Sequence, residues 1–435
     1  MRNVKNNLFG LIFLLSTLFP SLSSFAQNGI YIDTNACIGT ITRYKPTGNV
    51  PIHYAKIDDR HGKFLFNFQT IQGFPTLYNF KEVHINGYNI TDFTVVRDTV
   101  YMCGTDTNGR GIYGWMRFFS PTSCQLHVYT LQDDSSFVTN LRRIRVFRTW
   151  RYLDVILVGD YINGNSQVNI SSIIHVRNNS QCKVAYKGGE PIDDVEVLDN
   201  YVVTVARKGD TNLASAPHFM RVILRSGFSL NNTTFHNLYN WSRKGADGRI
   251  LLQHVGGDSL VSVYHSTSII IPEININTYS INGSGIMQLH KYYTVPGSRD
   301  RVDDVAFNGN DTSLMILQRR VVSRFKWSSF PNLSWTESLY PDMSNYGPGG
   351  TVRLMSLSKT SSSEYMASGV VNNQFVVWRT NRDCDITHDY SAVPTSSSMS
   401  YYTVAPVVVS LGINATTKTI PINTIYVEEV CSSSK

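Results

Sequence analysis

IDDVEVLDNYVVTVA, residues 192–206, decides the fold. IDDVEVL alternates apolar and polar side chains at the strand period, Asp199-Asn200 offers a two-residue turn, and YVVTVARKG resumes the alternation. This is a β-hairpin, and its layout returns along the chain. Phe93 in ITDFTVVRDTVYMCG, Ile144 in RRIRVFRTWRYLDVILVG and Val195 in the hairpin itself begin matching strands. So do Ile250 in GRILLQHVGGDSLVSVYH, Val305 in VDDVAFNGNDTSLMILQ and Leu354 in TVRLMSLSKTSSSEYMASG. The intervals are 51, 51, 55, 55 and 49 residues.

A β-rich chain with a period of this length builds a β-propeller, one four-stranded blade per repeat. Asn-Gly pairs at residues 86, 108, 163 and 282 mark tight turns. No long helix-period stretch occurs after the first residues, so the expected class is all-β. The six starts cover roughly residues 88 to 400. Outside them lie KFLFNF (Lys63–Phe68), YYTVAPVVVSLGI (Tyr401–Ile413) and INTIYVEEV (Ile422–Val430). Propellers remove an exposed sheet edge by building one blade from both chain ends. Seven blades closed by the two ends are therefore expected, with six blades plus a terminal strand layer as the runner-up.

The first residues carry the pattern of an export signal. Arg2 and Lys5 precede an apolar run, Leu8–Leu18, too short to span a bilayer, and Ser24-Phe25-Ala26 supplies small residues for cleavage after Ala26. The expected division is a signal peptide, 1–26, and one propeller domain, 27–435, secreted or held in the periplasm or cell envelope. No later stretch is long and apolar enough for a transmembrane helix. The formal charge is +7, falling to +5 without Arg2 and Lys5, which permits acidic partners without demanding them. Charged residues are only 16% of the chain while Tyr and Phe number 24 and 21, a balance that suits a solvated extracellular β-protein. Six cysteines in an oxidising compartment make pairing an open question, with Cys103–Cys124 the most plausible bridge inside one blade. Cys124, Cys182 and Cys384 fall at equivalent places in different repeats, too far apart to pair with one another.

Aligning the six starts brings out one constellation. The residues just before them are Asp92, Arg143, Asp194, Arg249, Asp304 and Arg353, acid alternating with base. First strands line a propeller's channel, so these side chains form a ring near one mouth. Its structural reading is a set of ion pairs between neighbouring blades; its functional reading is a ligand site. Taking Val352 in place of Leu354 as the sixth start would break the alternation. Arg142, Arg143, Arg145, Arg148 and Arg151, interleaved with Phe147, Trp150 and Tyr152, suit anionic sugars, or nucleic acid by stacking and phosphate contact, which a secreted location disfavours, or simply a solvated strand and hairpin tip. Tyr113 and Trp115, in GIYGWMRFF, offer flat faces for a sugar ring or packing between blades.

No HExxH, G-x-S-x-G, Walker loop, C-x-x-C or zinc spacing is present, and neither metal nor cofactor is expected. TDTNG (Thr105–Gly109) has the outline of a calcium loop but lacks the distant bidentate acid, so it reads as a turn. Asp92, Asp154, Asp194 and Asp304 are the carboxylates from which a glycosidase pair would be drawn.

FTVVRDTVYMCGTDTNGRGIYGWM (Phe93–Met116), together with a signal ending in FAQ, resembles secreted β-propeller proteins of gut Bacteroidetes that have no assigned activity. The resemblance covers one blade and, by period, the rest. It implies an envelope or secreted setting where glycan handling is common, and it carries over no functional residue. The expectation is an exported, non-catalytic, monomeric binding propeller for a carbohydrate or a surface protein, with no nucleic-acid partner. The alternatives are a glycoside hydrolase or lyase using carboxylates near the channel, and a structural assembly component.

Overall fold

The protein is described from a computed structural model covering residues 40–44, 56–58, 64–66, 69–72 and, with gaps, 81–431; side chains are described between 85 and 332 and over 410–417, again with gaps. The expected signal peptide, residues 1–26, lies outside the described residues, as do Cys37 and Cys384. Every described element is a strand, and no described helix is long and apolar enough to cross a membrane.

Four-stranded antiparallel meanders follow one another along the chain. Sheet I comprises Tyr88–Val96, Thr99–Asp106, Gly111–Ser120 and Ser123–Leu131. Sheet II comprises Phe137–Arg148, Leu153–Ile162, Asn169–Arg177 and Gln181–Tyr186. Ile192–Val197, Tyr201–Arg207, His218–Leu224 and Thr234–Leu238 form sheet III. Leu251–Gly256, Ser259–Thr267, Pro272–Ile281 and Met287–Pro296 form sheet IV. Sheet V holds Asp304–Asn308, Ser313–Gln318, Val321–Ser329 and Asn332–Leu339. Sheet VI takes Val352–Lys359, Tyr365–Val371 and Gln374–Thr380, and its fourth strand is the N-terminal Thr40–Tyr44. A further meander is built from Lys56–Asp58, Phe64–Phe66, Gln69–Gln72 and Lys81–His84.

The first strands of sheets I to VI lie beside one another in chain order, and Lys56–Asp58 lies beside the first strand of sheet VI. The fold is propeller-like: sheets stack face to face, and sheets II, III and IV each have both faces covered. That explains the near-continuous apolar strands. Leu153–Ile162 is buried at every position but its ends. Val155 and Leu157 pack on sheet I, against Tyr101, Cys103, Tyr113 and Leu131. Ile156 and Val158, one residue out of phase, pack on sheet III, against Val195, Val202 and Ile223. Corresponding clusters join sheet III to sheet IV and sheet IV to sheet V.

The expected four-stranded blades are exceeded on the outside. Beyond Thr380 the chain runs back past the sheets in reverse order. Ser391–Pro394 adds to sheet IV, Ser400–Thr403 to sheet III and Val407–Leu411 to sheet II. Ile413–Thr424 pairs first with Ser123–Leu131 of sheet I and then with Lys81–His84. Val427–Cys431 ends on Thr40–Tyr44 of sheet VI. Tyr401–Ile413 therefore does not share a single terminal blade with the N-terminus, as its sequence suggested. It supplies fifth strands to sheets that are already four-stranded, where each covers an otherwise unpaired edge.

The Cys103–Cys124 bridge does not form. Neither residue is in a disulfide, and both thiols are buried. Cys103 belongs to the core between sheets I and II, whereas Cys124 lies in the core on the other face of sheet I, with its thiol 3.3 Å from Met116 Sδ. Burial pushes the Cys124 thiol up to about 11 and Cys182, also in no disulfide, to about 12. TDTNG is a turn: Asp106 Oδ1 accepts the backbone N–H groups of Asn108 and Arg110, each at 2.9 Å, with Gly109 at φ 75°. Asn282 Oδ1 accepts Ser284 and Ile286 in the same way, and there Gly285, rather than Gly283, takes the positive φ.

Candidate functional site

The predicted ring lies on the first strands, and a recurring backbone irregularity aims it. The pairing of first and second strands shifts register just before Asp92, Arg143 and Asp194. Such a bulge turns side chains out of simple alternation. Asp92, on sheet I, thus points to sheet II, and its Oδ2 accepts the Ile144 N–H at 3.0 Å. On sheet III, Asp193 Oδ2 accepts the Ile250 N–H at 3.1 Å, and Asp194 Oδ2 accepts the Leu252 N–H at 2.9 Å. Each carboxylate ties its first strand to the next one. All three are buried, at 0, 2 and 1% exposure.

Arg143 stands between Asp92 and Asp194. Its Nη1 is 3.9 Å from Asp92 Oδ1, and its Nε is 3.1 Å from Asp194 Oδ1, in an ionic contact too poorly aligned for a hydrogen bond. Asp194 Oδ1 accepts the N–H of Val195 at 2.8 Å. Burial works against the charge of Arg143, but Asp194, Asp92 and Asp304 together raise its pKa above the usual arginine value. Arg145 repeats the arrangement one layer along: Nη1 is 3.4 Å from Asp92 Oδ2, and Nη2 is 3.1 Å from Glu196 Oε2. The alternation of Asp92, Arg143 and Asp194 is thus realised as inter-sheet ion pairs. Burying such groups is costly unless every partner is present, and here the backbone N–H groups and both arginines are.

The rest of the ring is placed differently. Arg249 is exposed, just before the first strand of sheet IV, and Asp304 is half-buried at the start of that of sheet V. Arg353 lies on the first strand of sheet VI, where side chains are not described. That strand, Val352–Lys359, contains both Val352 and Leu354, the two starts the alignment allowed.

Tyr113 presents no face to solvent. It is fully buried, stacks on Tyr129 at 4.8 Å and donates its hydroxyl to Asn179 Oδ1 at 3.2 Å, so packing between sheets is the reading its burial fits. Burial, then Tyr129, raise its pKa far above the usual phenol. Trp115 is half-buried, with its ring stacked on His127 at 3.8 Å and its Nε1–H donated to Tyr129 at 3.2 Å.

Sequence reasoning missed two networks. Asp193 and Glu196 lie beside Asp194 on the same strand, but only the bulge brings both neighbouring aspartates into play. Asp154 is fully buried between sheets II and III; its Oδ1 accepts from His175 Nε2 and Arg177 Nε, each at 2.8 Å. Arg177 also donates to the Phe228 carbonyl at 2.9 Å and lies over the Tyr152 ring at 4.5 Å. Despite burial, bonds from His175 and Arg177 hold the Asp154 carboxyl below its ordinary value, while burial lowers His175 against the pull of Asp154. Asp154 therefore differs in role from Asp92 and Asp194: it braces two neighbouring strands of sheet II, and Arg177 carries the contact on to the Phe228 carbonyl. No cluster of potential metal ligands occurs among the described residues.

No family model and no curated protein matches this chain. Among solved structures it is similar to Drosophila Plexin A in complex with Semaphorin 1b, at 10% identity and a TM-score of 0.43, over 79% of this chain and 88% of that one. Drosophila Semaphorin 1b extracellular domains 1–2 give 10% and 0.41, over 79% and 88%. The extracellular domain of a hybrid two-component system from B. thetaiotaomicron gives 9% and 0.40, over 80% of this chain and 40% of that one. Likenesses this distant assign no activity.

Proposed function

We propose that residues 27–435 form a closed seven-bladed propeller that is exported and acts as a non-catalytic binding module for a carbohydrate or a surface protein. Six sheets and the Lys56–His84 meander make seven four-stranded units, and the pairing of both chain ends on sheet VI supports closure. Export rests on the basic, apolar and small-residue pattern of the first 26 residues. The bond pattern around the carboxylates carries the non-catalytic reading. Asp92, Asp193 and Asp194 each accept a backbone N–H from the next sheet, so their lone pairs hold the fold together instead of facing a substrate. A general acid or nucleophile needs a carboxylate open to the scissile bond.

A thermal-shift screen of the purified protein against polysaccharides, with reducing-sugar release read from the same wells, tests this. The expected outcome is a reproducible rise in melting temperature without release. Release that disappears in Asp304→Asn would replace the binding module with an enzyme.

A further inference from the structure

Three large apolar side chains stand exposed among the described residues: Tyr152 at 38%, Leu224 at 50% and Phe330 at 37%. Tyr152 sits in the turn between the first and second strands of sheet II. Leu224 ends the third strand of sheet III, and Phe330 follows the third strand of sheet V. In an antiparallel meander these turns all open at the same end of the sheet.

Tyr152 and Leu224 belong to one built surface. The Arg177 guanidinium lies over the Tyr152 ring at 4.5 Å and donates to the Phe228 carbonyl at 2.9 Å. The Phe228 ring meets Phe147 edge-on at 5.8 Å, and the Arg225 guanidinium stands 5.1 Å from the Phe147 ring. Arg225 Nη1 also donates to the carbonyls of Leu198 and Asp199, at 3.0 and 3.2 Å, which fixes the residue next to Leu224. Contacts therefore run unbroken from Tyr152 on sheet II to Arg225 on sheet III. Rings held by guanidiniums keep their orientation, so the surface is set before a partner arrives.

The charge of this surface is one-sided. The sheet II turns at this end, 148–153 and 177–181, hold Arg148, Arg151 and Arg177 and no acid. Arg148 and Arg151 are exposed. The neighbouring turns of sheets III and IV add Asp199 and Asp258, and Asp258 is taken up by the backbone N–H and side-chain amide of Asn200, at 2.8 and 2.7 Å. Tyrosine and arginine around an exposed apolar side chain make the composition of a protein-binding surface. Leu224 argues against a glycan at this place. Its aliphatic surface offers no hydrogen bond to a hydroxyl-covered chain and is stabilised only by burial against another apolar group.

We propose that the end of sheets II and III carrying Tyr152, Leu224, Arg148 and Arg151 docks an acidic segment of a partner protein. An apolar side chain of that segment covers Leu224, and its carboxylates face the exposed arginines, whose planar forks match a carboxylate in two parallel hydrogen bonds. This rests on the surface-protein branch of the binding reading above.

The test is fluorescence anisotropy of labelled peptides titrated with the purified protein. One peptide is rich in glutamate and contains leucine; a second carries lysine in place of glutamate, and a third serine in place of leucine. The first binds, and its affinity falls as salt is raised. The lysine peptide does not bind, and the serine peptide binds more weakly than the first. Leu224→Ser weakens the first peptide about tenfold, as loss of an interface anchor does, with melting unchanged because the side chain already faces water. Arg148→Glu weakens it further and flattens the salt dependence. Absence of binding by the first peptide, equal binding of the lysine peptide, or equal binding by wild type and Leu224→Ser overturns the docking surface. A sulfated oligosaccharide whose binding depends on Arg148 but not on Leu224 overturns the protein partner in favour of a glycan. Melting shifts with polysaccharides, read on the same Leu224→Ser protein, are independent of this surface, so their presence leaves the binding-module reading standing when the docking surface falls.

Discussion

Successive sheets are joined in two ways, one at their inner strands and one at their outer strands. Inside, the links are side chains: Asp92 reaches Ile144, Asp193 reaches Ile250, Asp194 reaches Leu252, and Arg143 sits between two of these acids. Outside, the links are backbone. One segment, Ser391–Cys431, contributes strands to sheets IV, III, II and I, to Lys81–His84 and to sheet VI in turn. The inner links are repeated and local, each between adjacent sheets. The outer link is made once, by the last part of the chain, and gathers sheets that are far apart in sequence. The inner device can therefore be removed one joint at a time, whereas the outer one fails as a whole.

The largest expected effect comes from ending the chain after Tyr390. This strips a strand from every sheet named above and exposes their edges together. Loss of cooperative urea unfolding, with association in solution, is expected; a truncated chain that melts like the full one would show that the outer segment is ornamental. Asp194→Ala comes next. It leaves the Leu252 N–H without its acceptor and Arg143 with only Asp92, at 3.9 Å, and breaking a buried pair of this kind costs about 3–5 kcal/mol. Asp304→Ala, at a half-buried position, should cost clearly less in the same urea titration. If the two cost the same, the inner joints are not set by burial.

A smaller effect is a pH dependence at the sheet II–III interface. The folded pKa of His175 lies below its unfolded value, so between the two the unfolded chain binds more protons, and stability falls as pH drops below about 6.5. Asp154, also depressed, adds its loss at pH below about 4. His175→Gln should flatten the first of these slopes in urea midpoints measured across pH; an unchanged slope would assign it to His127 or His290, whose pKa values burial also lowers. Smaller again is Tyr113→Phe, which removes one hydroxyl bond to Asn179 and should cost about 1 kcal/mol. Arg249→Ala, exposed and outside every described ion pair, should leave the urea midpoint where it was.

Much of the inner architecture was legible because it repeats. The starts at Phe93, Ile144, Val195, Ile250, Val305 and Leu354 all fall on first strands or immediately before them. The Asp92–Arg143–Asp194 alternation shows up as real ion pairs because equivalent positions on adjacent sheets are neighbours in space. The missed partners have physical reasons. Asp193 was hidden because a bulge, invisible in composition, aims it and Asp194 at the same neighbouring strand. His175 and Arg177 were hidden because they meet Asp154 across the ladder between strands Leu153–Ile162 and Asn169–Arg177, a register that neither strand states alone. Tyr113 looked like a platform because an aromatic on an alternating strand reads the same whether its face meets solvent or another sheet.

Hydrophobic period, turn residues and repeat spacing are local, so the chain alone determined that it would fold as successive antiparallel meanders and where each would begin. The tertiary structure decided which edges the C-terminal strands would cover, which faces of a two-sided sheet each aromatic would occupy, and which charges would be buried. Those outcomes depend on pairing between segments hundreds of residues apart, such as Ile420 with Cys124, and edge pairing runs through the backbone, which every sequence offers alike.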